Sequence, residues 1–193
     1  MQALNRPLPA QPFSTLYTYQ PNMPHTTYDG TIAVAQKILK SLRHILHLAE
    51  TQQPEASSTT LLTARLHPDM YPLPDQIRLA TQFCENLAAR LSGREPETFE
   101  RESLNSFAGF YARIDKVLQI LEQTDKDVVN EQGDKVVPTP FGPGVVVDLS
   151  GAQFAHTAAI PNIYFHLTTA YGILRKEGVV LGKKDYYAGF ISV

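Results

Sequence analysis

The chain reads as an all-α protein, an antiparallel four-helix bundle with a small β-hairpin or extended flap before its last helix. Three observations predict this. Three separate stretches repeat apolar residues at three- and four-residue steps, a fourth from Leu149 to Leu174 carries no Asp, Glu, Lys or Arg, and a Gly/Pro-centred run flanked by β-branched residues separates the third from the fourth. In bundles of this kind ligand sites form in the core, from side chains on facing helices.

Residues 1–28 hold Pro7, Pro9, Pro12, Pro21 and Pro24 among polar residues, the composition of a flexible lead-in, and the bundle domain is expected over 29–193. From Thr31 to Gln53, the residues Ala35, Ile38, Leu39, Leu42, Ile45, Leu46 and Ala49 form one apolar stripe, the first helix. Pro54 to Thr60 reads as a polar loop. Leu61 to Tyr71 then leads through Pro68 and Pro72 into a second helix, which has Pro74 in its first turn, a seam of Ile77, Ala80, Cys84, Leu87 and Leu91, and Gly93 at its end. A third helix is expected from about Glu100 to Glu122, with Leu104, Phe107, Ala108, Tyr111, Ile114, Leu118 and Leu121 on one face. The segment from Lys135 to Asp148 has two β-branched runs around Gly142-Pro-Gly144, which predicts the hairpin or flap.

The fourth helix is expected from about Ser150 to near Gly178, kinked or restarted at Pro161. A helix so long without charge is expected to be covered on nearly all sides. A polar group within it, His166 or Asn162, then needs a partner, a ligand or a solvated pocket. His166 shares a face with Asn162, Ala170 and Ile173 by helical spacing, and should point into the bundle.

Composition narrows the function classes. With 193 residues, 43% of them hydrophobic, one domain can hold itself together by packing alone. Seventeen basic residues against nineteen acidic ones give a formal charge of -2 and no basic cluster, so neither nucleic acid nor an anionic membrane is the expected partner. The uncharged stretch is long enough to span a bilayer, but Gln153, His156, Asn162, His166 and Thr168-Thr169 suit a protein interior better. The single Cys84 excludes an intramolecular disulfide, fits a reducing compartment and lies at core spacing. Residues 1–20 lack a signal-peptide core, which makes the cytoplasm the expected location.

The remaining polar residues divide into structural and functional candidates. His44 and His47 lie opposite the first stripe and are expected to face solvent. His156, ten residues before His166, is expected on the surface or behind the site, and His25 falls in the lead-in. His67, at a helix entrance, can contact a ligand or satisfy a turn. Asp69 is the acid to single out, as a catalytic carboxylate or as a turn residue in Pro-Asp-Met-Tyr-Pro, with Arg65 able to pair with it if Leu61 to Leu66 is helical. Tyr164 and Tyr171, seven residues apart, share a face and can line a pocket or fill a core. Gly142-Pro-Gly144 lacks the Lys-Ser/Thr that completes a phosphate loop.

Two blocks carry a resemblance. Arg65-Leu-His-Pro-Asp-Met-Tyr-Pro-Leu73 with Gln76, Ile77 and Ala80, and Pro161-Asn-Ile-Tyr-Phe-His166 through Tyr171, Leu174-Arg175 and Leu181-Gly-Lys183-Lys-Asp185, resemble the signatures of an uncharacterised domain-of-unknown-function family of the DinB/YfiT-like superfamily, over roughly Tyr28 to Gly189. The resemblance implies a DinB-like four-helix bundle. It also implies, in the metal-binding relatives, a divalent ion held by one histidine on the second helix and two on the fourth, and activities that include thiol-dependent transferases and isomerases. Carried onto this chain, those ligand positions fall near Ala80 and at Asn162 and His166. One imidazole of three remains, so a degenerate metal site with no bound metal or other cofactor is expected.

Two functions follow from this. One is a small-molecule-binding bundle, in enzymatic form a metal-independent isomerase, lyase or thiol-dependent transferase. In it His166 and Asp69 are catalytic and Asn162, Tyr171, Tyr164 and His67 contact a small organic substrate. The other is a non-catalytic binding or dimerisation module, a homodimer in the latter case, in which His166 and Asn162 form a satisfied buried polar pair. A cavity touching His166 would favour the first, and a filled interior the second.

Overall fold

The structure, a computed structural model, describes residues 25–100, 104–140 and 142–191. It is mostly helical, with one two-stranded antiparallel hairpin. Most of the stretch read as a lead-in, residues 1–24, lies outside the described residues. Its last residues are already structured: Thr26 caps α1 (Thr27–Gly30), its backbone N–H donating to Asp29 Oδ2 at 3.1 Å and its hydroxyl accepting from Asp29 N at 3.3 Å.

Helix α2 (Ile32–Gln52) buries the whole predicted stripe from Ala35 to Ala49. The expected polar loop contains two single helical turns, α3 (Pro54–Ser57) and α4 (Thr60–Thr63), the first started by Pro54, whose fixed φ suits a first turn. Helix α5 (Leu73–Ser92) has Pro74 in its first turn and its seam fully buried. It stops at Gly93, whose φ of 66° lets Arg94 N reach Ala89 O at 3.0 Å.

Helix α6 (Phe107–Glu122) starts later than its apolar spacing suggested. Ser106 Oγ accepts from Gly109 N at 3.1 Å and caps the helix there. Leu104 is buried but precedes the helix, so the apolar stripe runs past the helical segment. Ala108 is exposed, and Phe110 and Val117 complete the buried face in its place. A short α7 (Lys126–Gln132), capped by Asp125, was not anticipated.

The predicted hairpin consists of β1 (Val136–Pro140) and β2 (Val146–Ser150), with Thr139 opposite Val147. Proline has no N–H, so Pro138 and Pro140 fit β1 only where the backbone nitrogen points away from β2. That leaves the outer edge of β1 short of donors. Ser150 then caps α8 (Gly151–Phe154), accepting from Gln153 N at 3.1 Å while Gln153 Oε1 accepts from Ser150 N at 2.9 Å.

A π turn, Ala155–Ala159, joins α8 to α9 (Ile160–Lys176), with Ile160 N bonded to Ala155 O. Pro161 follows directly, and the widened turn accommodates the donor it cannot supply. Gly178, at φ 87°, closes α9, with Val179 N donating to Leu174 O at 3.0 Å. A last turn, α10 (Lys183–Tyr186), packs back on α2, where His44 Nε2 meets Asp185 Oδ1 at 3.0 Å. His44 is therefore engaged rather than free in solvent, while His47 and His156 are exposed.

The four long helices share one core. α2 and α5 each pack against both α6 and α9, and also touch each other. One expectation fails: the uncharged stretch is not covered on all sides. Thr157, Pro161, Phe165 and Thr168 are exposed along it, since a neutral helix face can meet water without charge. Among the described residues no helix is long and apolar enough to cross a membrane.

Gly151 sits where the hairpin enters α8, with Ala152 N donating to Gly133 O at 2.8 Å. A Cβ on Gly151 would lie 2.5 Å from Gln132 O and 2.8 Å from Leu91 Cδ2. Gly151→Ala should therefore destabilise the fold by about 1–3 kcal/mol, read as a lowered urea midpoint. An unchanged midpoint would mean that this junction is not packed as described.

Candidate functional site

His166 sits on the face of α9 that packs against α5, and only 6% of its surface is exposed. Its Nδ1 lies 2.8 Å from Gln76 Oε1, and Gln76 Nε2 donates to Tyr71 O at 2.9 Å. The second bond fixes the orientation of the amide, because a carbonyl needs a donor and only the NH2 supplies one. The Gln76 oxygen therefore faces His166, Nδ1 carries the proton, and Nε2 presents a bare lone pair. Among the described residues no side chain bonds to Nε2, and that atom is not wholly buried.

Two aromatic rings flank the imidazole. Phe83 stacks on it with centroids 6.1 Å apart, and Phe165, 54% exposed, meets it edge-on at 5.3 Å. Arg78, bonded to buried Asp75 at 2.8 Å, projects its charge toward the ring. Burial, with Arg78 adding to it, pushes the His166 pKa down to about 4. The ring is thus neutral at physiological pH, and its open nitrogen is an acceptor or base rather than an acid.

The other residues singled out from the sequence lie apart from this notch. Asn162 does not reach His166, and the expected buried polar pair does not form. Its Nδ2 donates to Ala158 O at 2.7 Å, taking up a carbonyl at the π turn. Tyr164 stacks on Phe190 at 6.3 Å, and Tyr171 meets Tyr186 edge-on and donates to Leu181 O at 3.4 Å. These tyrosines hold the C-terminal segment. Two residues of α-helix turn a side chain about 200°, so Tyr164 and His166 face opposite ways.

Asp69 and His67 hydrogen-bond to each other on an exposed loop. Arg65 does not pair with Asp69 but donates to Pro68 O and Met70 O, both at 3.4 Å, because the helical turn ends at Thr63, before Arg65. His67 lines a cleft of about 360 Å³ with Arg65, Leu66, Pro68 and Lys176. The loop connects to the His166 notch through Tyr71, whose carbonyl Gln76 holds. His166 does not line the cleft at His67, nor those around Arg90, Ile120 and Phe99.

Ala80 is fully buried on the seam of α5, one turn beyond Gln76. Among the described residues no three His, Cys, Asp or Glu side chains are grouped to hold a metal ion. Cys84 is fully buried, and burial pushes its thiol well above the usual range, so it has no nucleophilic character. Gln76, Phe83, Asp75 and Arg78 are the site residues that sequence reasoning missed. Gln76 and Asp75 are polar side chains at buried positions of an amphipathic helix, and that was the signal available.

Residues 27–187 match the family described as Domain of unknown function (DUF1993). The chain belongs to that family. A crystal structure of a DinB family member protein from Shewanella denitrificans superposes with a TM-score of 0.74 at 35% sequence identity, covering 83% of this chain and 90% of that one. The expected placement in a domain-of-unknown-function family with a DinB-like fold is thereby met. A search of curated proteins finds no match.

The depressed pKa of His166 makes stability depend on pH. The unfolded chain takes up this proton near pH 6.5 and the folded one only near 4, so the contribution is fully present above 6.5 and is lost as the pH falls toward 4. Over that window the folded state should lose up to about 3 kcal/mol through this group. Urea titrations between pH 7 and 4 should show this loss, and His166→Gln should flatten it. An equally steep decline in the variant would place the titrating group elsewhere.

Proposed function

We propose that the chain is a DinB-like antiparallel four-helix bundle that binds a small organic molecule without a metal, at the mouth of the His166 notch. One observation carries this reading: the Gln76 bond keeps His166 Nε2 unprotonated, unpartnered and flanked by Phe83 and the exposed Phe165. An aromatic-walled notch with one oriented acceptor suits an apolar molecule that presents a single donor. In enzymatic form His166 Nε2 is the proton acceptor for an isomerase- or lyase-type abstraction or for a thiol, a role that requires the bound substrate to raise the ring's pKa from about 4. Asp69 then orients His67 on the adjoining loop rather than acting beside His166. The exposed positions of both residues support that assignment.

The three-histidine pattern implied by the superfamily resemblance is degenerate in this reading. Asn162 is spent on Ala158 O, Ala80 offers a methyl group, and the Arg78 charge opposes a cation near the one remaining imidazole. A second reading, a non-catalytic binding or dimerisation module, has its own support. His166 is nearly covered, and the clefts around Arg90, His67, Ile120 and Phe99 do not reach it, as a purely structural histidine would require.

Elemental analysis of the purified protein should find no stoichiometric zinc, nickel or iron. Near-equimolar metal that disappears in His166→Ala would overturn the metal-free site. A thermal-shift screen of thiols and small metabolites should give stabilising compounds whose effect vanishes in His166→Ala. If no compound stabilises the protein, and the variant loses about 1–3 kcal/mol of intrinsic stability, the structural reading stands instead.

A further inference from the structure

A second site lies at the other end of α5, on residues that the His166 notch does not use. Arg90, Gly93, Arg94, Glu95, Gln132 and Lys135 surround a half-enclosed cleft of about 210 Å³ between the α5 terminus and the start of the hairpin. Three of these side chains are cationic, in a chain whose formal charge is -2. They come from segments some forty positions apart, so the fold, rather than a basic run in the sequence, assembles them.

Their partners determine what the cleft can hold. Arg94 is neutralised by the fully buried Glu85, which it grips through both guanidinium nitrogens. Arg90 spends one nitrogen on Leu149 O, at 2.6 Å, and rests over Phe154. Among the described residues its other donors meet no acceptor. Among the described residues the Lys135 ammonium has no partner, and neither has the Gln132 side-chain amide. That amide lies across Gly93, 3.5 Å from where a Cβ would stand. Glu95 is the one carboxylate lining the cleft, and it pairs with neither Lys135 nor Arg90. The lining thus carries three positive charges against one, with Glu85 behind Arg94 removing another.

We propose that this cleft binds a small oxyanion, a phosphate or carboxylate group, held by the fork of Arg90, the point charge of Lys135 and the Gln132 NH2. Charge-assisted bonds from a partly desolvated arginine are the strong ones, and its planar fork matches two anion oxygens. Burial already presses Arg90 toward its neutral form, which a bound anion relieves. Glu95 opposes the anion and limits its affinity.

The test is a thermal-shift titration of the full chain with sodium phosphate and with sodium malonate, each against sodium chloride at matched ionic strength. A saturable rise in Tm beyond the chloride control is expected. Phosphate alone giving it would assign a phosphate ligand, malonate alone a carboxylate one, and either result supports the site. Lys135→Gln, an exposed change that leaves the fold intact, should weaken the apparent affinity at least tenfold, and Glu95→Gln should strengthen it. Arg90→Gln should abolish the response, but it also frees Leu149 O, so the lysine variant is decisive. No response beyond chloride would overturn the proposal. So would an unchanged response in Lys135→Gln, or a response lost only in His166→Ala.

Discussion

Burial of α5 on almost every side obliges each polar group it carries to find a partner, and many of those partners are backbone atoms of loops. The helix packs against α2, α4, α6, α7, α8, the π turn and α9, and it carries Asp75, Gln76, Thr81 and Glu85 at buried positions. A buried donor or acceptor left unpaired costs about 1–3 kcal/mol, and a buried charge more. Gln76 accordingly holds Tyr71 O and His166, while Glu85 holds Arg94 and accepts from Glu97 N at 2.9 Å. Arg90, farther along, holds Leu149 O. The loop entering α5, the loop leaving it and the hairpin are each tied to this helix by a side chain it has to satisfy.

The same constraint places chemistry at both ends of α5. At its start, a glutamine that must be satisfied orients a histidine and leaves one nitrogen open. At its end, an arginine that must be satisfied turns only part of its fork to the backbone. Membership of the DUF1993 family and likeness to a DinB family member establish the scaffold and leave the chemistry to these side chains.

Helical periodicity made the scaffold legible. The stripes of α2 and α5, the glycine stops at Gly93 and Gly178, the hairpin around Gly142 and the break at Pro161 all follow from local pattern and backbone sterics, which a sequence displays directly. Where pattern and capping compete, pattern misleads. Leu104 continues the apolar spacing of α6, but the Ser106 hydroxyl ends the helix first. A lack of charge between Leu149 and Leu174 was a poor measure of burial, because Thr157 and Thr168 meet water as readily as a lysine does. His166 was legible as an inward-facing residue from its spacing. Its partner was not: amphipathic pattern reveals which face of a helix is inward, but not which of two inward side chains, 90 positions apart, come together. Asn162 likewise satisfied a local carbonyl that only the π geometry exposes.

That π turn also bears on how the chain tolerates changes in length. Buried Ala155, Ala159, Ile163 and Leu167 follow one another at strict four-residue steps, and on a straight α-helix each such step would slip the contact line by about 40°. The wider turn absorbs part of that slip, in the manner of a single inserted residue taken up inside the helix. Removing one residue from it would let α-helix run through from Ser150 and leave both the hairpin and α9, with His166, near their present orientations. The π turn is thus a joint at which this stretch can change length by one residue, with the His166 notch on one side of it and the hairpin on the other.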